Sequence, residues 1–145
     1  MELDLPKIGF GGAPIGGLLN FVDDKEAVET VKIAIKSGIR YFDTAPFYGF
    51  GLSEHRLGEV LRARRDVILS SKVGRLLKPG LPKKPASYGW PRPLPFHPVF
   101  DYGYDAVMRS YEDSLQRLGR DKIDILFLHD IGSFTHPNSF KERQY

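Results

Sequence analysis

Asp43, Tyr48, Lys72 and His129 supply a carboxylate, a phenol, an ammonium and an imidazole, and three of them stand at the ends of short apolar runs. Asp43 follows Tyr41-Phe42, Lys72 closes Val67-Ile-Leu-Ser-Ser-Lys72, and His129 closes Ile123-Asp-Ile-Leu-Phe-Leu-His129. Taken singly, each has a structural explanation: an Asx turn, a loop aromatic, a snorkelling lysine, a core imidazole bonded to a carbonyl. Together they describe a device. Neighbouring strands of a sheet run ~5 Å apart, so parallel strands ending level would bring these groups into one pocket. A lysine on a half-buried strand needs an anionic partner, and Asp43 is the nearest carboxylate. A tyrosine is a poor acid at neutral pH, but a nearby ammonium favours its phenolate and lets it give up and retake a proton. His129 could then donate to a substrate oxygen and orient it. What the set lacks is a hydride carrier, which side chains cannot provide and a nicotinamide can.

The elements that must position these groups alternate. Lys7 to Gly17 reads as a short strand dissolving into a glycine-rich turn, and Asp23 or Asp24 caps a helix that runs to Ser37 and stops at Gly38. Ala27, Val31, Ala34 and Ile35 form its buried stripe. After the strand at Tyr41–Asp43, Ser53 is placed to cap a second helix, with Leu57, Val60 and Leu61 inward. A strand over Val67–Lys72 follows, then a helix over Tyr104–Leu118 with Val107, Tyr111, Ser114, Leu115 and Leu118 inward, then the strand ending at His129. Such alternation predicts an α/β fold with parallel strands, right-handed crossovers and a site at the strands' C-terminal ends. Gly74 to Gly103 breaks the rhythm with seven of the chain's eleven prolines, and reads as a lid or a disordered connector. The PxxP spacings from Pro79 and Pro95 permit an adaptor-ligand reading that explains nothing else in the chain.

Composition removes several classes of function. With 145 residues, 41% hydrophobic and 27% charged, the chain can bury one core. No apolar run approaches the ~20 residues of a membrane span, the first residues lack the pattern of a secretory signal, and there is no cysteine. A cytoplasmic protein without disulfides or thiolate metal sites is expected. The net charge of +3 is too small to argue for nucleic acid, although Lys72, Arg75, Lys78, Lys83, Lys84 and Arg92 lie in a stretch without a single acid. A dinucleotide fingerprint starting at Gly9 fails at its last glycine, where Pro14 stands.

Tyr41-Phe-Asp-Thr-Ala-Pro-Phe-Tyr-Gly49, Ser70-Ser-Lys-Val-Gly74 and Leu126-Phe-Leu-His129 resemble the Asp, Tyr, Lys and His tetrad segments of the aldo-keto reductase superfamily, in the family's order. Phe47–Glu54, Lys72–Leu77, Pro98–Tyr102 and His129–Ile131 are most similar to its sugar and pyridoxal dehydrogenases. The resemblance implies a (β/α)8 TIM barrel and NADP or NAD as cofactor. It implies Tyr48 as proton donor or acceptor, Lys72 tuning it, Asp43 pairing with Lys72 and touching the nicotinamide ribose, and His129 aligning the carbonyl or hydroxyl. Gly12 and Ala13 are further cofactor-side candidates, and Phe47 and Trp90, with His97, candidate substrate walls. A small carbonyl compound or sugar is the implied partner. A barrel takes ~250 residues, so this sequence reads as the amino-terminal half, four strand-helix units without a separate second domain. It would lack most of the cofactor surface, be inactive alone and be prone to self-association through exposed edges. Two other readings stay open: a non-catalytic half-barrel that serves as an interaction module, and a Schiff-base enzyme using Lys72.

Overall fold

The computed structural model describes residues 4–132 and 135–136. The elements run β1 (Phe10–Gly11), α1 (Asp24–Lys36), β2 (Tyr41–Asp43), α2 (Leu52–Leu61), β3 (Ile68–Val73), β4 (Arg75–Pro79), β5 (Phe96–Phe100), α3 (Tyr104–Leu118) and β6 (Ile125–Leu128). β1, β2, β3 and β6 form one parallel sheet in that order, and β4 pairs with β5 in a separate antiparallel hairpin. Phe42 of β2 and Leu69 of β3 are fully buried beneath the helices, with Val31, Leu57, Leu61 and Leu118 completing the core. The predicted parallel α/β arrangement is therefore present, with four parallel strands and three helices among the described residues.

Local chemistry sets the helix ends. Asp23 caps α1, its carboxylate accepting from the Glu26 amide at 2.8 Å, and the chain leaves the helix through Gly38 at φ 92°. α2 starts differently from expectation. Gly51, in a left-handed conformation, occupies the cap, and Ser53 lies one residue inside the helix with its hydroxyl fully buried. That hydroxyl donates to the Gly12 carbonyl at 2.8 Å and sits 2.8 Å from the Thr44 hydroxyl, so it ties α2 to both preceding strand ends.

The inward face of α3 keeps most of the predicted residues, with Ser114 and Leu118 buried and Tyr111 and Leu115 packed against the core, while Ala106 and Ser110 are buried in addition and Val107 is only half-buried. At the C-terminal end of α3 the two backbones come close: a methyl group added at Gly58 would stand 2.7 Å from the Leu118 carbonyl oxygen, so a residue larger than glycine has no room there.

Much of the proline-rich stretch predicted as lid or connector forms the β4–β5 hairpin, with Arg75 opposite Phe100 and Pro79 opposite Phe96. Proline is excluded from central strands for want of an N–H, but a two-stranded ribbon consists only of edges and accepts it. On the other side of the main sheet, β6 leaves Leu126, Phe127 and Leu128 about half exposed. Parallel strands are ordinarily covered on both faces.

Candidate active site

The register of the parallel sheet brings the predicted residues together. Asp43 lies opposite Ser70, Lys72 opposite Phe127 and Val73 opposite Leu128, and the His129 amide continues the ladder by donating to the Val73 carbonyl at 2.9 Å. Lys72 Nζ donates to Asp43 Oδ2 at 2.7 Å and to the Thr44 carbonyl at 2.9 Å. The other carboxylate oxygen of Asp43 accepts from the Ser70 hydroxyl at 2.6 Å. Lys72 and Asp43 are thus held rigidly, with side-chain exposures of 14% and 27% that leave both reachable from the strand ends.

Tyr48 arrives from the loop between β2 and α2. Its amide donates to the Ala45 carbonyl and its carbonyl accepts from the Ser53 amide, both at 3.1 Å, so the loop is a fixed turn. Lys72 Nζ stands 4.6 Å from the centroid of the Tyr48 ring, and the His129 ring meets that ring edge-on at 5.9 Å. Among the described residues no hydrogen bond links Nζ to the phenol oxygen; the contact is ammonium against ring. All four predicted side chains therefore converge at one end of the sheet.

His129 is buried. Its Nε2 lies 3.6 Å from Asp130 Oδ2, and Nδ1 has no hydrogen-bond partner among the described residues. Burial, then the Arg75 cation, pushes the imidazole down to about 4, with Asp130 opposing. The imidazole is accordingly neutral at physiological pH and donates through one nitrogen only. An unfolded chain would protonate near its ordinary value of 6.5, so the unfolded state takes up the proton first as pH falls. The contribution of neutral His129 to stability is complete above pH 6.5 and is lost progressively down to about pH 4. Thermal unfolding midpoints of wild type and His129→Asn measured across that window are expected to converge as the pH falls.

Phe47, Arg75, Tyr88, Pro98, Phe100 and Asp130 line a cavity of about 510 Å³ beside this cluster. Phe47 touches the cavity on one side and the His129 ring, at 5.8 Å, on the other. Trp90, the other predicted wall, is 2% exposed and packs behind Phe47 and Tyr48 at 5.6 and 5.9 Å. His97 is on the hairpin, bonded through Nδ1 to the Gly80 carbonyl at 2.9 Å, and does not line this cavity. Gly12 has both backbone groups engaged: its amide donates to the Asp43 carbonyl at 2.7 Å, and its carbonyl takes the Ser53 hydroxyl. Ala13 follows it in the turn and is partly exposed.

Sequence reasoning misses four participants. Ser70 orients Asp43 from the apolar run where it reads as an ordinary strand residue. Arg75 and Asp130 form an ion pair between β4 and the end of β6, and Arg75 lies over the Phe47 ring at 4.1 Å from its centroid. Glu54, with no exposed surface, accepts from the Ser71 hydroxyl at 2.8 Å and from Arg117 Nε at 2.6 Å, joining α2, β3 and α3 directly behind Lys72. A single basic residue in the run Val73–Leu77 is the one signal for Arg75 that the sequence carries.

A parallel sheet with helical crossovers and reactive groups at the strands' C-terminal ends is the arrangement of (β/α)8 barrels, of which the described residues hold four strands and three helices. The chain belongs to the aldo/keto reductase family, whose model matches residues 7–141. It is 47% identical over 144 residues to pyridoxal 4-dehydrogenase from Microbacterium luteolum, covering 92% of this chain and 42% of that protein. It is 39% identical to D-threo-aldose 1-dehydrogenase from a Pseudomonas species, covering 88% of this chain and 41% of the relative. Among solved structures, the glycerol dehydrogenase from Gluconobacter oxydans superposes with a TM-score of 0.66 at 28% identity, over 87% of this chain and 36% of that one. An aldo-keto reductase from Klebsiella pneumoniae in complex with NADPH does so with a TM-score of 0.60 at 27% identity, over 86% and 35%. The chain thus spans about two-fifths of the length of the curated relatives it matches.

Proposed function

We propose that this chain carries the proton-transfer half of an NAD(P)-dependent oxidoreductase that interconverts an alcohol or hemiacetal, of the aldose or pyridoxal kind, with its carbonyl or lactone. The observation that carries the reading is the convergence of the Lys72–Asp43 ion pair, the Tyr48 ring and the neutral His129 imidazole at one sheet end. A nicotinamide fits this donor set, because the exposed edge of Asp43 can meet a ribose hydroxyl and the Gly12–Ala13 turn is tied to the Asp43 main-chain carbonyl at the same strand end. When bound, it supplies the acceptor or donor of hydride. In the oxidation direction the substrate C–H leaves with its electron pair and the O–H proton passes to the Tyr48 oxygen; reduction reverses both. Lys72 holds its ammonium against the Tyr48 ring, 4.6 Å from the centroid, and Asp43 keeps that ammonium in place. His129 donates Nε2–H to the substrate oxygen and fixes its direction, while Phe47 shapes the pocket and Trp90 backs it.

The activity is ascribed to a completed barrel in the cytoplasm; the 145 residues alone are expected to turn over poorly. The test joins this chain to the remaining strand-helix units of the Microbacterium luteolum relative and supplies NAD+ or NADP+ with pyridoxal or an aldose. Nucleotide reduction by the joined protein, at a rate far above that of the chain alone, is expected. A well-folded joined protein that reduces neither nucleotide with either substrate would refute the reading. The half-exposed Leu126, Phe127 and Leu128 favour a second property, association of the chain with itself when β6 has no neighbour. Sedimentation should show a dimer or larger species that disappears in the joined protein; a monomeric chain would exclude it.

A further inference from the structure

Asp130 is one of three non-glycine residues with positive φ among the described residues, at 50°, and it directly follows His129. Aspartate tolerates this region better than most residues, but a position held there needs surroundings that enforce it. The group that holds the Asp130 side chain is Arg75. Its guanidinium is 6% exposed, lies over Phe47 and Phe100 at 4.1 and 5.0 Å from the ring centroids, and ion-pairs with Asp130 Oδ2. The same carboxylate oxygen lies 3.6 Å from His129 Nε2. Asp130 also lines the 510 Å³ cavity. One oxygen therefore serves a buried cation and a buried imidazole at once.

We propose that Arg75 and Asp130 are positioning residues for His129: the Asp130 carboxylate, pinned by Arg75 and facing Nε2 at 3.6 Å, beyond hydrogen-bond reach, favours by its charge the tautomer with the hydrogen on Nε2 and leaves that N–H free for the substrate oxygen. The inference rests on His129 being the group that donates to the substrate oxygen. Without Asp130 the imidazole would face an unscreened guanidinium, and without Arg75 the freed carboxylate would draw a proton onto the ring. The pair thus leaves His129 a donor but not an acid, and assigns the proton to Tyr48. Other groups around the imidazole are Lys72 and Asp43, which oppose each other in charge, the Tyr48 and Phe47 rings, and the Tyr102 hydroxyl, which donates to the His129 carbonyl at 2.9 Å.

The two single variants are expected to act differently on the imidazole. In the chain carrying isotope-labelled histidine, with the His129 signals assigned through His129→Asn, Arg75→Met is expected to raise the His129 titration midpoint by at least about one pH unit. Asp130→Asn keeps a residue that tolerates the left-handed backbone, and its midpoint is expected to stay at or below that of wild type. A merely structural role would loosen the site in both variants and carry both midpoints up toward the ordinary histidine value. That result, or an unmoved midpoint in Arg75→Met, would overturn the proposal. Neither reading depends on turnover, so failure here is separable from failure of the redox assignment.

Discussion

Replacing Tyr48 by phenylalanine is expected to lower kcat of the completed barrel by about 10³-fold while leaving nucleotide affinity within about twofold, because a positioned acid or base contributes on the order of 10²–10⁴. Only the phenol oxygen is removed. The ring keeps its contacts with Trp90, with His129 and with the Lys72 ammonium, and none of these uses that oxygen. Pre-steady-state kinetics with nucleotide binding followed in parallel would separate the chemical step from affinity. A Tyr48→Phe enzyme that retained more than about a tenth of kcat would assign the proton to another group.

The second large effect is on stability, and it is expected from a residue far from solvent. Glu54→Ala removes the acceptor of both the Ser71 hydroxyl and Arg117 Nε in a place with no exposed surface, while Arg117 itself remains only 15% exposed. Breaking one side of a buried ion pair costs about 3–5 kcal/mol, chiefly because the surviving charge stays desolvated. For a domain of this size that is a fall of roughly 10 °C in Tm. A double variant, Glu54→Leu with Arg117→Met, should recover much of the loss, since an apolar pair of similar volume removes both charges. Equal destabilisation in the single and double variants would show that the pair matters for its shape rather than its charge.

Glu54 also marks the boundary of what a sequence can disclose. Its side chain reads as ordinary first-turn acid on a helix, and only the approach of α3 through Ser114 and Arg117 makes it a buried hub. By contrast, the strands and their terminal Asp43, Lys72 and His129 were legible, because apolar runs that stop on a titratable residue reflect the same parallel register that aligns them. Gly38 was legible as a helix stop for a local reason, the left-handed conformation that its φ of 92° requires. Ser53 and the hairpin were not. Ser53 has the right chemistry for a cap, but bonds to Gly12 and Thr44 across the fold outweigh the local preference. The hairpin's Pro79 and Pro98 argue against strands unless one knows that both strands are edges. On α3, Ala106 and Ser110 are missed because periodicity is read through the large residues, whereas small ones are buried on that face as well.

Transfer of deuterium from C4-labelled NADPH or NADH to the carbonyl carbon of an aldehyde, followed by NMR in the completed barrel and in its Lys72→Met and Tyr48→Phe variants, tests this site most directly. Label on that carbon in wild type, with transfer slowed by at least about a hundredfold in both variants, is the predicted result. Label that fails to reach the carbon, or reaches it equally fast without the ammonium and the phenol, would contradict it.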